Sequence, residues 1–197
     1  MEEPAVRITQ EHLEEVRSGD ESAHRRFVEI LYPLVRGHIR RHLRRQADHD
    51  DVSQEIFMRV FLKLDQYAGP QPFEHWVSRI AVRTCYDWLR KLRARPLVHY
   101  ADLSEKELRV LNETSGGDDS SHLESRREIV TGLLDRLIAT LKPREQIVIR
   151  FLDLEQKSVA EIQELTGWSA SKIKVTAMRA RRKLAAQLQT LENRNLS

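Results

Sequence analysis

A single cysteine, Cys85, stands in 197 residues. One thiol cannot make an internal disulfide and makes a structural zinc site built on cysteines improbable, which fits a reducing compartment. Glycine and proline are sparse, 7 and 6 residues, while 32% of the chain is charged and 40% hydrophobic. Such a balance suits helices with long solvated faces around packed cores. No apolar run approaches the roughly 20 residues needed to span a bilayer. The opening "MEEPAVRITQEH" is acidic and has no apolar centre, so it does not read as a secretory leader. A soluble, cytoplasmic protein without membrane insertion is expected. Net charge is only +3, so the placement of charge matters more than its sum.

What is present is helical periodicity almost throughout, with no convincing alternation of period two. The spacing predicts an all-α chain with helices over 9–17, 21–44, 49–66, 72–94, 126–140, 143–152, 158–165 and 169–189. Leu13, Val16, Phe27, Ile30, Leu31 and Leu34 supply the buried side of the first pair. Between 97 and 125 the character changes: "NETSGGDDSSH" has little to bury, and seven acids face only Lys106 and Arg109. The organisation expected is two small helical domains, 1–96 and 126–197, joined by a flexible acidic linker over 97–125. Within that linker "ADLSEKELRVL" has the pattern of a short helix.

The stretch "FEHWVSRIAVRTCYDWLRKLRAR" mixes rings with positive charge. At about 100° per residue, Arg83, Tyr86, Arg90 and Arg93 fall within about 40° of Arg79, and Trp76 about 60° away. Val77, Ala81, Thr84, Cys85, Trp88 and Leu92 gather on the opposite, core side. Guanidinium groups hold phosphates and rings stack on unpaired bases, so the outer stripe suits single-stranded nucleic acid. Taken alone it is equally a solvated arginine face. "YAGPQPF" just before it breaks the helical pattern, and Pro72 suits a first helical turn.

"SVAEIQELTGWSASKIKVTAMRARRKL" is more specific. Ser158 and Glu161 make a capping box, Gly167 sits where a tight turn needs a positive φ, and Ser169 caps a second helix. Ile173, Ala177, Ala180, Leu184 and Leu188 run down the inner face of that helix. From 169 to 188 it carries six basic residues and no acid. As the recognition helix of a helix-turn-helix, it would bring Ser169, Ser171, Lys172 and Lys174 to base edges and Arg179, Arg181, Arg182 and Lys183 to phosphates. Val175 and Met178 on its outer side either meet thymine methyls or are simply tolerated there. Ahead of the hairpin, "LKPREQIVIRFL" supplies Ile147, Val148, Phe151 and Leu152 to a small bundle.

"DHDDVSQEIFMRVFLKL" opens with acids at a helix N-terminus, where the macrodipole favours them. Capping and solvation account for Asp51, Gln54 and Glu55 when this segment is read by itself. The combination says more. Asp51-x-x-Gln54-Glu55-x-Phe57, then Phe73-x-x-Trp76-x-x-x-Ile80-Ala81, an acidic linker, and Arg179-Ala180-Arg181 with Leu184 together resemble a bacterial sigma factor. The similarity is to the extracytoplasmic-function group (group IV) of the sigma-70 family, and it runs from about residue 10 to 189.

That resemblance implies a promoter-specificity subunit, not an enzyme, with no cofactor, metal or catalytic residue. It implies a region 2-like domain that docks on core RNA polymerase, at the β′ clamp helices, through Asp51, Gln54, Glu55 and Phe57. The β subunit would also be touched. Trp76, Arg79, Arg83, Tyr86, Arg90 and Arg93 would capture the opened strand of the −10 element. A region 4-like domain would read the −35 element of promoter DNA through Ser169, Ser171, Lys172, Lys174, Val175, Arg179, Arg181 and Arg182. An anti-sigma factor is implied as a regulatory partner. Two departures stand out: Ser53 replaces a usually apolar residue, and Thr176-Ala177-Met178 replaces the family's commoner recognition-helix wording.

Two other readings compete. A stand-alone helix-turn-helix regulator would also use "LKPRE" and the hairpin, but has no need of the Asp51, Gln54 and Glu55 surface. A metalloenzyme would use His38 and His42, four residues apart, with His49 and Asp50. Against it, "RGHIRRHLRR" sets five arginines and no acid around the pair, and no general base or phosphate-binding loop accompanies them.

Overall fold

The computed structural model describes residues 8–69, 71–94 and 120–195, and all eight helices among them pack into two layers that share one wall. They are α1 (Gln10–Arg17), α2 (Glu21–His42), α3 (His49–Leu62), α4 (Phe73–Ala94), α5 (Ser120–Thr140), α6 (Pro143–Ile149), α7 (Val159–Thr166) and α8 (Ala170–Asn195). Most of the expected acidic linker, including "ADLSEKELRVL", lies outside the described residues. Its last six positions do not: α5 begins at Ser120, ahead of the predicted 126.

The starts of the helices follow side-chain chemistry. Asp20 accepts from the Ser22 hydroxyl (2.8 Å) and from the Ser22 and Ala23 N–H groups (2.8 and 3.4 Å), which lowers its carboxyl below the ordinary range and starts α2. Ser158 and Glu161 make the expected reciprocal cap: the Glu161 N–H donates to Ser158 Oγ (3.2 Å), and the Ser158 N–H donates to Glu161 Oε2 (2.7 Å). Pro143 opens α6, and Glu145 reaches back to the Lys142 N–H at 2.8 Å. Gly167 ends α7 at φ 72°, a conformation that costs glycine little.

Some boundaries differ from the periodicity. The predicted 49–66 helix stops at Leu62 and continues only as a 3₁₀ turn, Leu64–Gln66. The predicted 143–152 helix widens at Arg150–Leu154 into a π-turn, where the Glu155 N–H reaches the Arg150 carbonyl (2.9 Å). Such wide turns expel one residue from the regular helical register. Here the turn is followed by Gln156 at φ 54°. α8 runs on to Asn195, past the bundle, so Leu188 is exposed and not on an inner face.

The first core is a set of stripes with i, i+4 spacing: Ala23, Phe27, Leu31, Val35 and Ile39 on α2; Val52, Ile56 and Val60 on α3; Phe73, Val77, Ala81 and Cys85 on α4. Leu13 and Val16 of α1 close it. The second contains Ile147, Val148, Phe151, Ile162, Leu165, Ile173 and Ala177, and it also takes in Val82 of α4. The halves are therefore not two independent cores on a string. Val82 is 1% exposed although the first core lies on the other side of its helix. Trp88, expected in the core, is only half-buried, with Lys91 Nζ 5.5 Å from its ring centroid.

Cys85 is fully buried, and desolvation pushes its thiol up to about 12. It is expected to resist thiol reagents at pH 8 in the native chain and to react fully in denaturant. A colorimetric thiol titration with and without guanidinium checks this; fast native labelling would mean that α4 does not stay packed.

Candidate nucleic-acid interface

Three helices carry the residues singled out above. On α3, Asp51 and Gln54 are exposed near the helix N-terminus, flanked by exposed Met58 and Leu62. Glu55 is engaged from within: Arg59 donates to it through Nε (2.9 Å) and Nη2 (2.8 Å). Arg59 also donates through Nη1 to Thr84 Oγ1 (3.1 Å) and Asp87 Oδ2 (3.3 Å) on α4. This network fixes α3 against α4. Phe57 is buried at 8% exposure in the first core, so the expectation of a surface contact needs correcting: its ring anchors the helix that displays Asp51 and Gln54.

On α4, Arg79, Arg83, Arg90 and Arg93 are all exposed along the outer stripe. The two rings expected beside them have different surroundings. Trp76 is half-buried in an aromatic cluster, with centroids 5.3 Å from Phe73 and 5.7 Å from Tyr67. Tyr67 donates its hydroxyl to the Gln71 carbonyl (2.6 Å), which ties the preceding loop to the same rings. Tyr86 does not face solvent freely. Its ring meets Trp168 edge-on at 5.4 Å, and Arg144 lies over both rings, 5.9 Å from Tyr86 and 5.2 Å from Trp168.

On α8, Ser169 at the turn and Ser171, Lys172, Lys174, Val175, Arg179, Arg181 and Arg182 are all exposed on one elongated surface, with Met178 among them. Ile173, Ala177 and Ala180 are buried beneath, so the hairpin orients the basic side outward as the spacing predicted. Ser169 Oγ accepts from the Lys172 N–H at 3.4 Å, and its carbonyl from the Ile173 N–H at 3.0 Å. Two of the cations are not free. Arg181 forms a bidentate pair with Asp153 (2.6 and 3.3 Å), and Lys183 donates to both oxygens of Glu145 (2.7 and 2.9 Å). Burial opposes the Glu145 charge, but Lys183 and the Lys142 N–H outweigh it and hold the carboxyl below its ordinary value. Sequence periodicity missed both pairs because the partners lie 28 and 38 residues away.

His49 does not join the other histidines: its Nε2 lies 2.9 Å from the Leu43 carbonyl oxygen. His38 and His42 stack with centroids 6.4 Å apart, both buried. Among the described residues no group of three or more His, Cys, Asp or Glu side chains is arranged to hold a metal ion, and no helix is long and apolar enough to cross a membrane.

A capped helix-turn-helix with an outward basic helix, beside a second helical unit striped with arginine, defines a nucleic-acid-binding protein. Comparisons with known proteins refine that class. The sigma-70 region 2 family model matches residues 27–95, and the sigma-70 region 4 model matches 131–184. RNA polymerase sigma factor YlaC of Bacillus subtilis (strain 168) is 27% identical over 165 residues, covering 82% of this chain and 91% of that protein. The ECF RNA polymerase sigma-E factor of Escherichia coli (strain K12) is 27% identical over 186 residues, covering 92% and 95%. Among solved structures, CnrH in complex with the cytosolic domain of CnrY matches at TM-score 0.51 and 20% identity, over 91% of this chain and 96% of that one. The sigma factor RpoE of Bartonella quintana, solved with the anti-sigma factor NepR, matches at TM-score 0.50 and 15% identity, over 84% and 96%. These two likenesses show a shared fold. The chain belongs to the sigma-70 family, in its extracytoplasmic-function group, and is a sigma subunit of RNA polymerase and not an enzyme.

The ion pairs set an order among the α8 cations. Arg179→Ala and Lys174→Ala are expected to weaken duplex DNA binding more than Arg181→Ala, whose guanidinium Asp153 already holds. Asp153→Asn should strengthen binding and steepen the salt dependence by about 0.9 in slope, one phosphate contact. Anisotropy titrations of the full chain on duplex DNA across a salt series read this out; equal losses for Arg179→Ala and Arg181→Ala would contradict it.

Proposed function

We propose that the chain divides promoter recognition between residues 1–96 and 126–197, with 97–125 as the connection. In the first unit, α3 serves as the core-docking helix. Asp51 and Gln54 are its accessible contacts, Glu55 contributes through the edge left by Arg59, and Phe57 acts only by holding the helix in place. Met58 and Leu62 supply exposed apolar area beside them, an arrangement in which polar groups orient and apolar atoms contribute most of the affinity.

α4 serves the opened −10 strand. Arg79, Arg83, Arg90 and Arg93 hold phosphates; Trp76, and Tyr86 once Trp168 and Arg144 move off its ring, offer ring faces to unpaired bases. α8 reads the −35 duplex: Ser169, Ser171, Lys172 and Lys174 at base edges, Val175 against thymine methyls, Arg179 and Arg182 on phosphates, and Arg181 once released from Asp153. Each DNA contact is weak alone; held on one polymerase, the two raise each other's effective concentration. The protein works in the cytoplasm, where polymerase and promoter are, and an anti-sigma factor restrains it; RpoE of Bartonella quintana is solved in complex with one, NepR. The observation that carries the reading is the pairing of an exposed acidic docking helix with an outward basic recognition helix in one chain.

The stand-alone regulator is the reading to be separated from this one. Gel filtration of the full chain with sigma-free core RNA polymerase is expected to show co-elution. An Asp51→Ala, Gln54→Ala double variant with unchanged circular dichroism should bind at least about tenfold more weakly, the scale of a small hot spot. Binding to duplex DNA without any binding to core would favour the regulator instead.

A further inference from the structure

The arginines that tell against a metal at His42 surround a cavity. It has a volume of about 360 Å³ and lies where the end of α2, the last turns of α4 and the α5–α6 turn meet. That volume is within the range that takes small organic ligands, about 300–1,000 Å³. Of its lining residues, Arg93 alone was given above to a DNA strand, and none to polymerase.

The lining has three chemically distinct parts. Leu89 and Leu92 of α4, with Leu43 and Leu141, make an apolar wall. Arg44, Arg45 and Arg93 are exposed and stand at the mouth. Neither Arg44 nor Arg93 has a carboxylate partner among the described residues, and Arg45 lies 4.0 Å from Asp48. The inner lining is polar and buried. His42 is 1% exposed, and neither of its ring nitrogens has a hydrogen-bond partner among the described residues. Arg150 is 8% exposed; its Nη2 donates to Asp135 (2.7 Å), while its Nε has no such partner. Asp48 Oδ2 is buried in the same condition. Buried polar atoms are ordinarily paired, so four unpaired ones from three residues of a single cavity point to a ligand. The wall opposite α4 is held in shape: Gln146 Nε2 donates to the Ala139 and Leu141 carbonyls (3.2 and 3.0 Å), which fixes the α5–α6 turn.

Each part excludes some ligands. Four guanidinium groups against one lining carboxylate, Asp48, repel a cation and favour an anion. Inorganic phosphate would leave the leucine wall without a partner, and an aliphatic carboxylate would leave the buried polar atoms so. Desolvation, then His38, Arg150 and Arg41, holds His42 well below its ordinary value. Its neutral ring therefore offers one N–H donor and one acceptor. With the Asp48 acceptor and the Arg150 donor, that set matches the edge of a purine, which carries both kinds of group. Three guanidinium groups at the mouth suit more than one phosphate.

We propose that this cavity is a binding site for a purine nucleoside diphosphate. The ring lies between the leucine wall and the polar atoms of His42, Asp48 and Arg150, and the phosphates rest on Arg44, Arg45 and Arg93. A flat, polar-edged ring carrying charge at one end uses all three parts of the lining at once. The chain is then a receptor for a free nucleotide as well as a sigma subunit.

The test is isothermal titration calorimetry of the full chain at about 0.15 M salt, where attraction to scattered surface charge is screened. ADP and GDP are the probes; pyrophosphate and the two free nucleosides present their halves separately. One-to-one binding of at least one nucleotide is expected, tighter by about tenfold or more than either half alone. Arg44→Ala should weaken it about tenfold, and Asp48→Asn should remove most of the advantage over pyrophosphate. Arg25→Ala, at the other end of α2, should change nothing, and circular dichroism checks that each variant folds. Binding of neither nucleotide, or pyrophosphate binding as tightly as both, overturns the proposal. So does an equal loss for Arg44→Ala and Arg25→Ala, the mark of diffuse attraction to surface charge. An Asp48→Asn chain that keeps the whole advantage overturns the placement of the ring. None of these outcomes involves core polymerase, so the site and the sigma function are tested apart.

Discussion

α4 is buried on two sides, and the rest of the molecule is arranged around that constraint. Val77, Ala81 and Cys85 complete the first core, and Val82, one residue round the helix, completes the second. A helix packed on both flanks keeps only a narrow strip for solvent, and in α4 that strip carries arginine. Small side chains at Ala81 and Cys85 permit close approach on one flank. Tyr86 and Leu89 extend the other toward the C-terminal half. Because interiors are close-packed, each half sets the position of the other through this one element.

Charge is then distributed by pairing more than by number. Arg59 uses its whole guanidinium on Glu55, Thr84 and Asp87, binding α3 to α4. Arg181 and Lys183, on the basic helix, are held by Asp153 and Glu145. Such partly exposed pairs contribute modestly to stability. Their larger effect is on availability: a cation already matched to a carboxylate has less to offer a phosphate. The exposed, unmatched set on α8 is thus smaller than its sequence suggests.

Much was legible in the residues. Helical spacing placed eight helices nearly where they lie, because each stripe of apolar residues keeps its i, i+4 register wherever it packs. The Ser158–Glu161 cap, the Gly167 turn and the outward side of α8 were readable for the same reason: each is decided within a few residues. Phe57 was misjudged because a motif marks a position without saying whether its ring points in or out. The π-turn at Arg150–Leu154 was invisible, since its register shift serves to bring Phe151 against His42, more than a hundred residues earlier.

By itself, then, the sequence determined the all-helical class, the order of the elements, the two-part organisation and the basic outer face of α8. These depend on local propensity, periodicity and capping. Only the tertiary structure decided that Tyr86 lies under Trp168, that His38 and His42 are buried with His38 Nδ1 and both His42 ring nitrogens unbonded among the described residues, and that Arg181 and Lys183 are engaged. Those facts rest on contacts between residues distant along the chain. No pattern in a single segment encodes which of two chemically suitable surfaces will meet.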